Sequence, residues 1–343
     1  MNDLLSALLY PLSFPYGLLV GLDRRFTRAV DLARPVISVG NITWGGTGKT
    51  PVVIRLARQL AQRGYRVCVL SRGYRRKVNK GILIVSDGKS ILSDPAAAGD
   101  EPFLIARSLP DVSVVVGPDR TRAAATARER LSPDVFILDD GFQCWKVKRD
   151  LDIVCVNAAD PFGNGRLLPA GILREPPSAL SRAGLIVLTN SDVVPPDTVV
   201  EAEGRIAACS AAPVLRSGRR ALDLRCIIDE ATDLLAIDVI ALSAVGDNES
   251  FKKTLEQNGM NIVRQYAFRD HHWFSLQDLR TLLAENPPEL PVVTTTKDAV
   301  RLAMILATLE PVNARRFFAL ETELYVNGED LWEKGIRKAV PFF

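Results

Sequence analysis

The sequence predicts an α/β protein: a mostly parallel sheet flanked by helices, a second and smaller α/β lobe, and an apolar helix at the amino terminus. Three observations carry this expectation. Short continuous apolar runs alternate with stretches of helical spacing, a glycine-rich loop falls between the first such run and the first such helix, and the alternation restarts after about residue 221. A chain of 343 residues is longer than one core usually organises, which argues for two lobes. Hydrophobic residues at 47% and charged residues at 24% exclude a disordered chain. A net charge of +3, with basic residues spread along the chain, gives no footprint for nucleic acid.

The first segment, residues 1–28, stands apart. From Leu4 to Leu22 no residue is charged. As a helix this stretch extends roughly 28 Å, close to the hydrocarbon thickness of a bilayer. Pro11 and Pro15 break helical hydrogen bonding. Crossing a bilayer, lying in its plane and packing on the protein itself therefore all remain open. No Lys or Arg precedes the run, whereas Arg24, Arg25 and Arg28 follow it. That order disfavours a cleaved signal peptide and puts the rest of the chain on the cytoplasmic side.

The main lobe is expected over residues 29–215. Pro35 to Gly40 reads as a strand, Thr50 to Arg63 as a helix and Arg66 to Ser71 as the next strand, which makes one βαβ unit. Further strands are read at Val112 to Val116, Val135 to Leu138, Leu151 to Asn157 and Leu185 to Thr189, with a helix at Arg120 to Leu131. Unbroken apolar runs of this kind suit strands buried on both faces. An inserted β-hairpin is expected near 81–93, turning at Asp87-Gly88. The small lobe follows over 216–343, with strands near Asp238 to Val245, Asn261 to Phe268, Pro291 to Thr295 and Phe317 to Leu320. Five cysteines without metal-ligand spacing fit a reducing compartment, and Cys68 and Cys155 sit inside apolar runs as small core residues.

The loop Gly45-Gly46-Thr47-Gly48-Lys49-Thr50 lies where backbone N–H groups and a helix dipole can surround a polyphosphate. Glycines let the backbone approach phosphate oxygens closely. Lys49 is placed to meet the β- and γ-phosphates of ATP, and the Thr50 hydroxyl to ligate Mg²⁺. Together these features predict a P-loop NTPase-type sheet, although a strict motif has Gly where this chain has Thr43. Asp139 and Asp140 end an apolar strand, where two adjacent carboxylates favour a cation, a solvated turn at Asp140-Gly141 being the bland alternative. His271 and His272 are the only histidines, so imidazole chemistry is confined to them. In the Gly99-Asp100-Glu101-Pro102 segment, Asp100 reads on its own as a helix N-cap.

Taken in order, ISVGNITWGGTGKTP, LSRGYRRK, GDEP, VGPDRTRAA, LDDGFQ, LPAGILREP, FRDHH and TTTKDAVRL resemble the tetraacyldisaccharide 4'-kinase family, the lipid A 4'-kinases, through most of the chain. The resemblance implies transfer of the ATP γ-phosphate to the 4'-hydroxyl of a tetraacyl glucosamine disaccharide 1-phosphate at the cytoplasmic face of the inner membrane of a Gram-negative-type bacterium. It implies Asp100 as the catalytic base, His271 as its partner from the other lobe, and Lys49 as the third catalytic residue. Asp139, Asp140 and Glu175 join Thr50 at Mg²⁺. Arg120 and Gln143 line the nucleotide, and Arg72, Tyr74 and Arg174 meet the lipid-linked substrate. No obligate protein partner is implied. The chain departs from the family at Cys144, where a His is usual, at Thr296, where an acidic residue is common, and at Val245 to Asn248, which reads VGDN in place of GIGNP.

Two competing readings share the loop: a membrane-associated P-loop ATPase switch and a kinase of a different glycolipid. The switches usually carry a lysine just before the paired glycines, where this chain has Trp44.

Overall fold

The computed structural model describes residues 3–73, 76, 81–229, 237–270 and 272–340. They form two compact units, residues 1–218 with 324–343, and residues 219–323.

The first unit opens with α1 (Asp3–Phe26), β1 (Val36–Gly40), α2 (Lys49–Gln62), β2 (Val67–Ser71) and β3 (Leu83–Asp87). Then come α3 (Pro95–Ala98), α4 (Asp100–Ser108), β4 (Ser113–Val116), α5 (Arg120–Leu131), β5 (Val135–Asp139), β6 (Leu151–Asn157), β7 (Leu185–Thr189), α6 (Pro196–Ala207) and β8 (Val214–Cys226). The strand order is β8-β7-β6-β1-β5-β2-β4-β3, parallel throughout except that β3 runs against β4. Alternate residues point to opposite faces and both faces are covered, which explains the unbroken apolar runs. Ile37, Val39, Val67, Val69 and Ile137 join Val52, Leu56 and Leu60 of α2 in one core. Val36, Cys68, Leu70, Phe136 and Leu138 face α5 in another.

The expected hairpin near 81–93 is half of one. The turn closes, with Leu92 N–H donating to Val85 O at 2.8 Å, but only β3 joins the sheet, and the returning arm makes the single bridge Ser86 to Ile91. Cys68 and Cys155 are buried and free. Burial pushes the Cys155 thiol up to about 12.

Helix α1 runs unbroken through Pro11 and Pro15, contrary to the expectation that they interrupt it. Three side-chain bonds hold its inner face to the segment 164–174. Ser6 Oγ donates to Ala170 O at 2.7 Å, Ser13 Oγ to Leu167 O at 2.9 Å and Tyr16 OH to Arg174 O at 3.2 Å. The opposite face leaves Leu8, Leu12, Leu18, Leu19 and Phe26 exposed.

The second unit contains β9 (Asp238–Ser243), α7 (Asn248–Gln257), β10 (Asn261–Ala267), α8 (Leu276–Ala284), β11 (Val292–Thr295), α9 (Thr296–Leu306), α10 (Pro311–Ala314) and the start of β12 (Phe317–Val326). Its strands are parallel in the order β10-β9-β11-β12. The sequence predicts this lobe over all of 216–343; instead, residues from 324 onward return to the first unit. There α11 (Glu329–Arg337) buries Trp332 and Ile336 in the core shared with α2, and Trp332 Nε1 donates to Gln59 Oε1 at 2.7 Å.

Candidate active site

The residues expected at the phosphate site in the first unit gather at the carboxyl ends of β1, β2, β5 and β7, where ligands bind in open α/β sheets. After β1 the chain forms the glycine loop and enters α2 with Gly48 as its N-cap, at φ 70°. A Cβ there would meet Thr189 Cγ2 at 3.2 Å, so both the backbone conformation and the space call for glycine. The loop is braced from below. Asn41 Nδ2 donates to Thr47 Oγ1 at 2.8 Å, and Thr189 Oγ1 donates to Thr47 O at 3.1 Å. On its outer side Trp44 N–H donates to Ile172 O at 2.6 Å and Arg174 N–H to Ile42 O at 2.7 Å.

Lys49, the first residue of α2, lies 3.4 Å from Asp140 Oδ1. Arg174 Nη1 donates to both oxygens of Asp140 at 3.0 and 2.8 Å. Partial burial works to raise the Asp140 pKa, but Lys49 and Arg174 outweigh it and hold the carboxyl well below the usual carboxylate range. Its neighbour behaves oppositely. Burial, followed by the charge of Asp140, pushes Asp139 up to about 6, against a bond from the Ser71 hydroxyl at 2.8 Å. The two neighbouring carboxyls are thus pushed in opposite directions, Asp140 down and Asp139 up, an arrangement typical of functional sites. Thr50 follows Lys49 in the first turn of α2.

Arg120, expected at the nucleotide, is buried and donates to the carbonyls of Gly117 (2.9 Å) and Asp139 (3.2 Å), bracing the acidic turn. Gln143 Nε2 donates to Asn41 O at 2.9 Å and to Glu175 Oε1 at 2.8 Å. Glu175, expected at the metal, is buried and also accepts from Arg182 Nη2 on both oxygens. Arg174, expected at the substrate, has its guanidinium on Asp140.

Asp100 is not the N-cap that its segment suggested. Gly99 takes that position with φ 91°, and Asp100 is the first residue of α4, buried. Glu101 beside it is near enough to raise the Asp139 pKa further, which brings the GDEP turn to the acidic strand end. Arg72 is exposed, close enough to act electrostatically on Arg120 and on Cys144. Tyr74 and His271 lie outside the described residues. In the second unit His272 Nε2 is 3.1 Å from Asp278 Oδ2, and its ring stacks on Phe268 with centroids 4.4 Å apart.

Sequence reasoning missed Asn41, Ser71, Thr189 and Arg182. Asn41 follows β1, Ser71 and Thr189 end β2 and β7, and Arg182 ends a short 3₁₀ helix, so only three-dimensional contact marks them.

A glycine loop at a helix N-terminus, a lysine in its first turn and paired aspartates at the adjacent strand end define a P-loop nucleoside-triphosphate-binding protein of the α/β class. More particularly, the chain belongs to the tetraacyldisaccharide-1-P 4'-kinase family, whose model matches residues 5–340. The tetraacyldisaccharide 4'-kinase of Geobacter metallireducens is 40% identical over 327 residues, covering 92% of this chain and 94% of that one. That of Anaeromyxobacter sp. strain Fw109-5 is 44% identical over 305 residues, covering 86% and 80%. A crystal structure of LpxK from Aquifex aeolicus in complex with ATP matches with a TM-score of 0.76 and 35% identity, over 98% of this chain and 99% of that one. Membership of a kinase family decides against the ATPase switch.

Proposed function

We propose that this protein transfers the γ-phosphate of ATP to the 4'-hydroxyl of a tetraacyl glucosamine disaccharide 1-phosphate, a step of lipid A assembly. The observation that carries this reading is Lys49 facing Asp140 at the mouth of the glycine loop, beside a second carboxyl whose pKa burial has raised. The loop's N–H groups and the α2 dipole suit a triphosphate, and Lys49 suits the charge that develops on its terminal phosphate.

The donor set fits magnesium. Asp139 and Asp140 end a buried strand side by side, Thr50 offers a hydroxyl, and Gln143 Oε1 is a buried acceptor with no donor among the described residues. Small hard cations take oxygen ligands and keep coordinated water. Thr50, Asp139 and Asp140 would hold the ion, whereas Glu175, the fourth residue expected there, is engaged by Gln143 and Arg182. When bound, it draws negative charge from the phosphate oxygens. Asp100 then accepts the proton of the acceptor hydroxyl, with His271 as its partner by resemblance to the family. Arg72 and Tyr74 receive the lipid-linked sugar on the same ground.

Membrane contact is part of the reading. The bonds from Ser6, Ser13 and Tyr16 to the body span the eleven residues from Ser6 to Tyr16, about 15 Å of helix. Docking over that length supports a placement of α1 in the interface, with its exposed leucines toward lipid and Arg24 and Arg25 at its end. The inner-membrane surface on its cytoplasmic side is the proposed location. Resistance of α1 to extraction at high pH, as for a spanning helix, contradicts the in-plane placement.

The test is a labelled γ-phosphate assay with tetraacyl disaccharide 1-phosphate, its deacylated form and simple sugars as acceptors. Labelling confined to the acylated disaccharide supports the reading. Labelling of simple sugars alone rejects it in favour of another sugar kinase.

A further inference from the structure

The geometry points to Arg182 as a positioning residue of the phosphate site, acting through Glu175 and Gln143 on the root of the glycine loop. This rests on reading that loop as the nucleotide's phosphate site.

A continuous line of hydrogen bonds supports it. Arg182 Nη2 donates to Glu175 at 2.9 and 2.8 Å. Glu175 Oε1 also accepts from Gln143 Nε2 at 2.8 Å. The same Nε2 donates to Asn41 O at 2.9 Å, and Asn41 Nδ2 reaches Thr47 Oγ1 inside the loop at 2.8 Å. Glu175 and Asn41 are both buried, at 3% and 0% exposure, so neither can exchange its partner for bulk water.

The guanidinium is itself fixed. Its centre lies 4.3 Å from the Phe142 ring centroid and 4.9 Å from that of Trp145, and these two residues flank Gln143 and Cys144 in the turn after β5. Arg182 therefore touches the turn twice, through rings and through Glu175. A planar, delocalised cation suits the two contacts together better than a compact ammonium does.

Glu175 accordingly has a role different from that of a direct metal ligand. With Arg182 on both oxygens and Gln143 on one, its charge orients the Gln143 amide and leaves Gln143 Oε1 as the acceptor turned elsewhere. Removing Arg182 leaves a buried carboxylate without its cation, free to recruit a different one, and the amide loses its orientation.

The experiment compares wild type, Arg182→Lys, Arg182→Leu, Glu175→Gln and the double Arg182→Leu/Glu175→Gln, with KM for Mg-ATP, kcat at saturating ATP and the melting temperature for each. Arg182→Leu is expected to raise KM for Mg-ATP about ten-fold or more, the usual scale for residues behind a metal site, with kcat changed far less. Arg182→Lys restores part of the loss. The double variant, which removes the unpaired charge and keeps an acceptor for Gln143, binds Mg-ATP better than Arg182→Leu. Unchanged KM in Arg182→Leu, or a double variant no better than the single one, overturns the inference. So does Glu175→Gln losing metal dependence while Arg182→Lys keeps it, because that places Glu175 on the ion. Should Arg182→Leu not fold, the lysine and double variants decide. A wild-type protein that binds no Mg-ATP overturns the proposed function instead, so the two failures are distinct.

Discussion

The Ser71 hydroxyl donates a 2.8 Å hydrogen bond to Asp139 Oδ2, from the end of β2 to the end of β5. It opposes burial and the Asp140 charge, which together lift Asp139 from an ordinary value of 3.8 to about 6. Between those two values the folded protein holds a proton that the unfolded chain releases. Stability from this group is therefore fully present below pH 3.8 and declines as pH rises toward 6. In chelator-treated protein, the urea midpoint of wild type relative to Asp139→Asn should fall across that window. A difference that is flat with pH, or that rises, contradicts the raised value.

Asp298 and Arg301 form a fully buried ion pair in α9, in contact through Oδ1 and Nη2. Asp298 Oδ2 accepts from Ala244 N at 3.0 Å, while Arg301 Nη1 donates to His272 O at 2.8 Å. Asp298→Ala leaves the buried guanidinium without its counter-charge, which costs about 3–5 kcal/mol. Denaturant unfolding of the full chain should show that loss, and a change under 1 kcal/mol rejects the estimate.

Trp332 tests the return of the chain to the first unit. It is fully buried and bonded to Gln59, in the core that also holds Leu56 and Leu60. Trp332→Ala opens a cavity and removes a satisfied N–H, so a destabilisation of about 3–5 kcal/mol is expected by chemical denaturation. Near-wild-type stability contradicts the packing described for α11.

Much of this was legible in the sequence where local and tertiary demands agree. Val36 to Gly40 and Lys49 to Gln62 form the strand and helix expected around the glycine loop, because the apolar runs are short, continuous and bounded by turn residues. The aspartate pair at the end of β5 was visible for the same reason. Other features depend on distant partners. Strand β8, running from Val214 to Cys226, carries exposed Arg216, Leu222 and Asp223 along its length, so it lacks the apolar signature of a buried strand. Nothing local marks the residues from 324 onward as belonging with α2. Pro11 and Pro15 suggested an interruption that bonds to residues 167–174 overrule. Asp100 resembled a cap because acidic residues are common at helix N-termini, but Gly99 takes the cap position and Asp100 is the first residue of the helix.

Asp100→Asn keeps size and polarity but cannot accept a proton. If Asp100 is the base, turnover falls about 10²–10⁴-fold while affinity for Mg-ATP stays within a few-fold of wild type. Steady-state assays paired with equilibrium nucleotide binding measure both. Turnover close to wild type removes Asp100 from the chemistry.

The most direct measurement is equilibrium binding of a non-hydrolysable ATP analogue to the purified protein with and without magnesium, repeated on Lys49→Ala. Affinity that depends on the metal and drops sharply in the lysine variant is the predicted result. No affinity in either condition, or binding that ignores both magnesium and Lys49, contradicts a triphosphate held in the glycine loop.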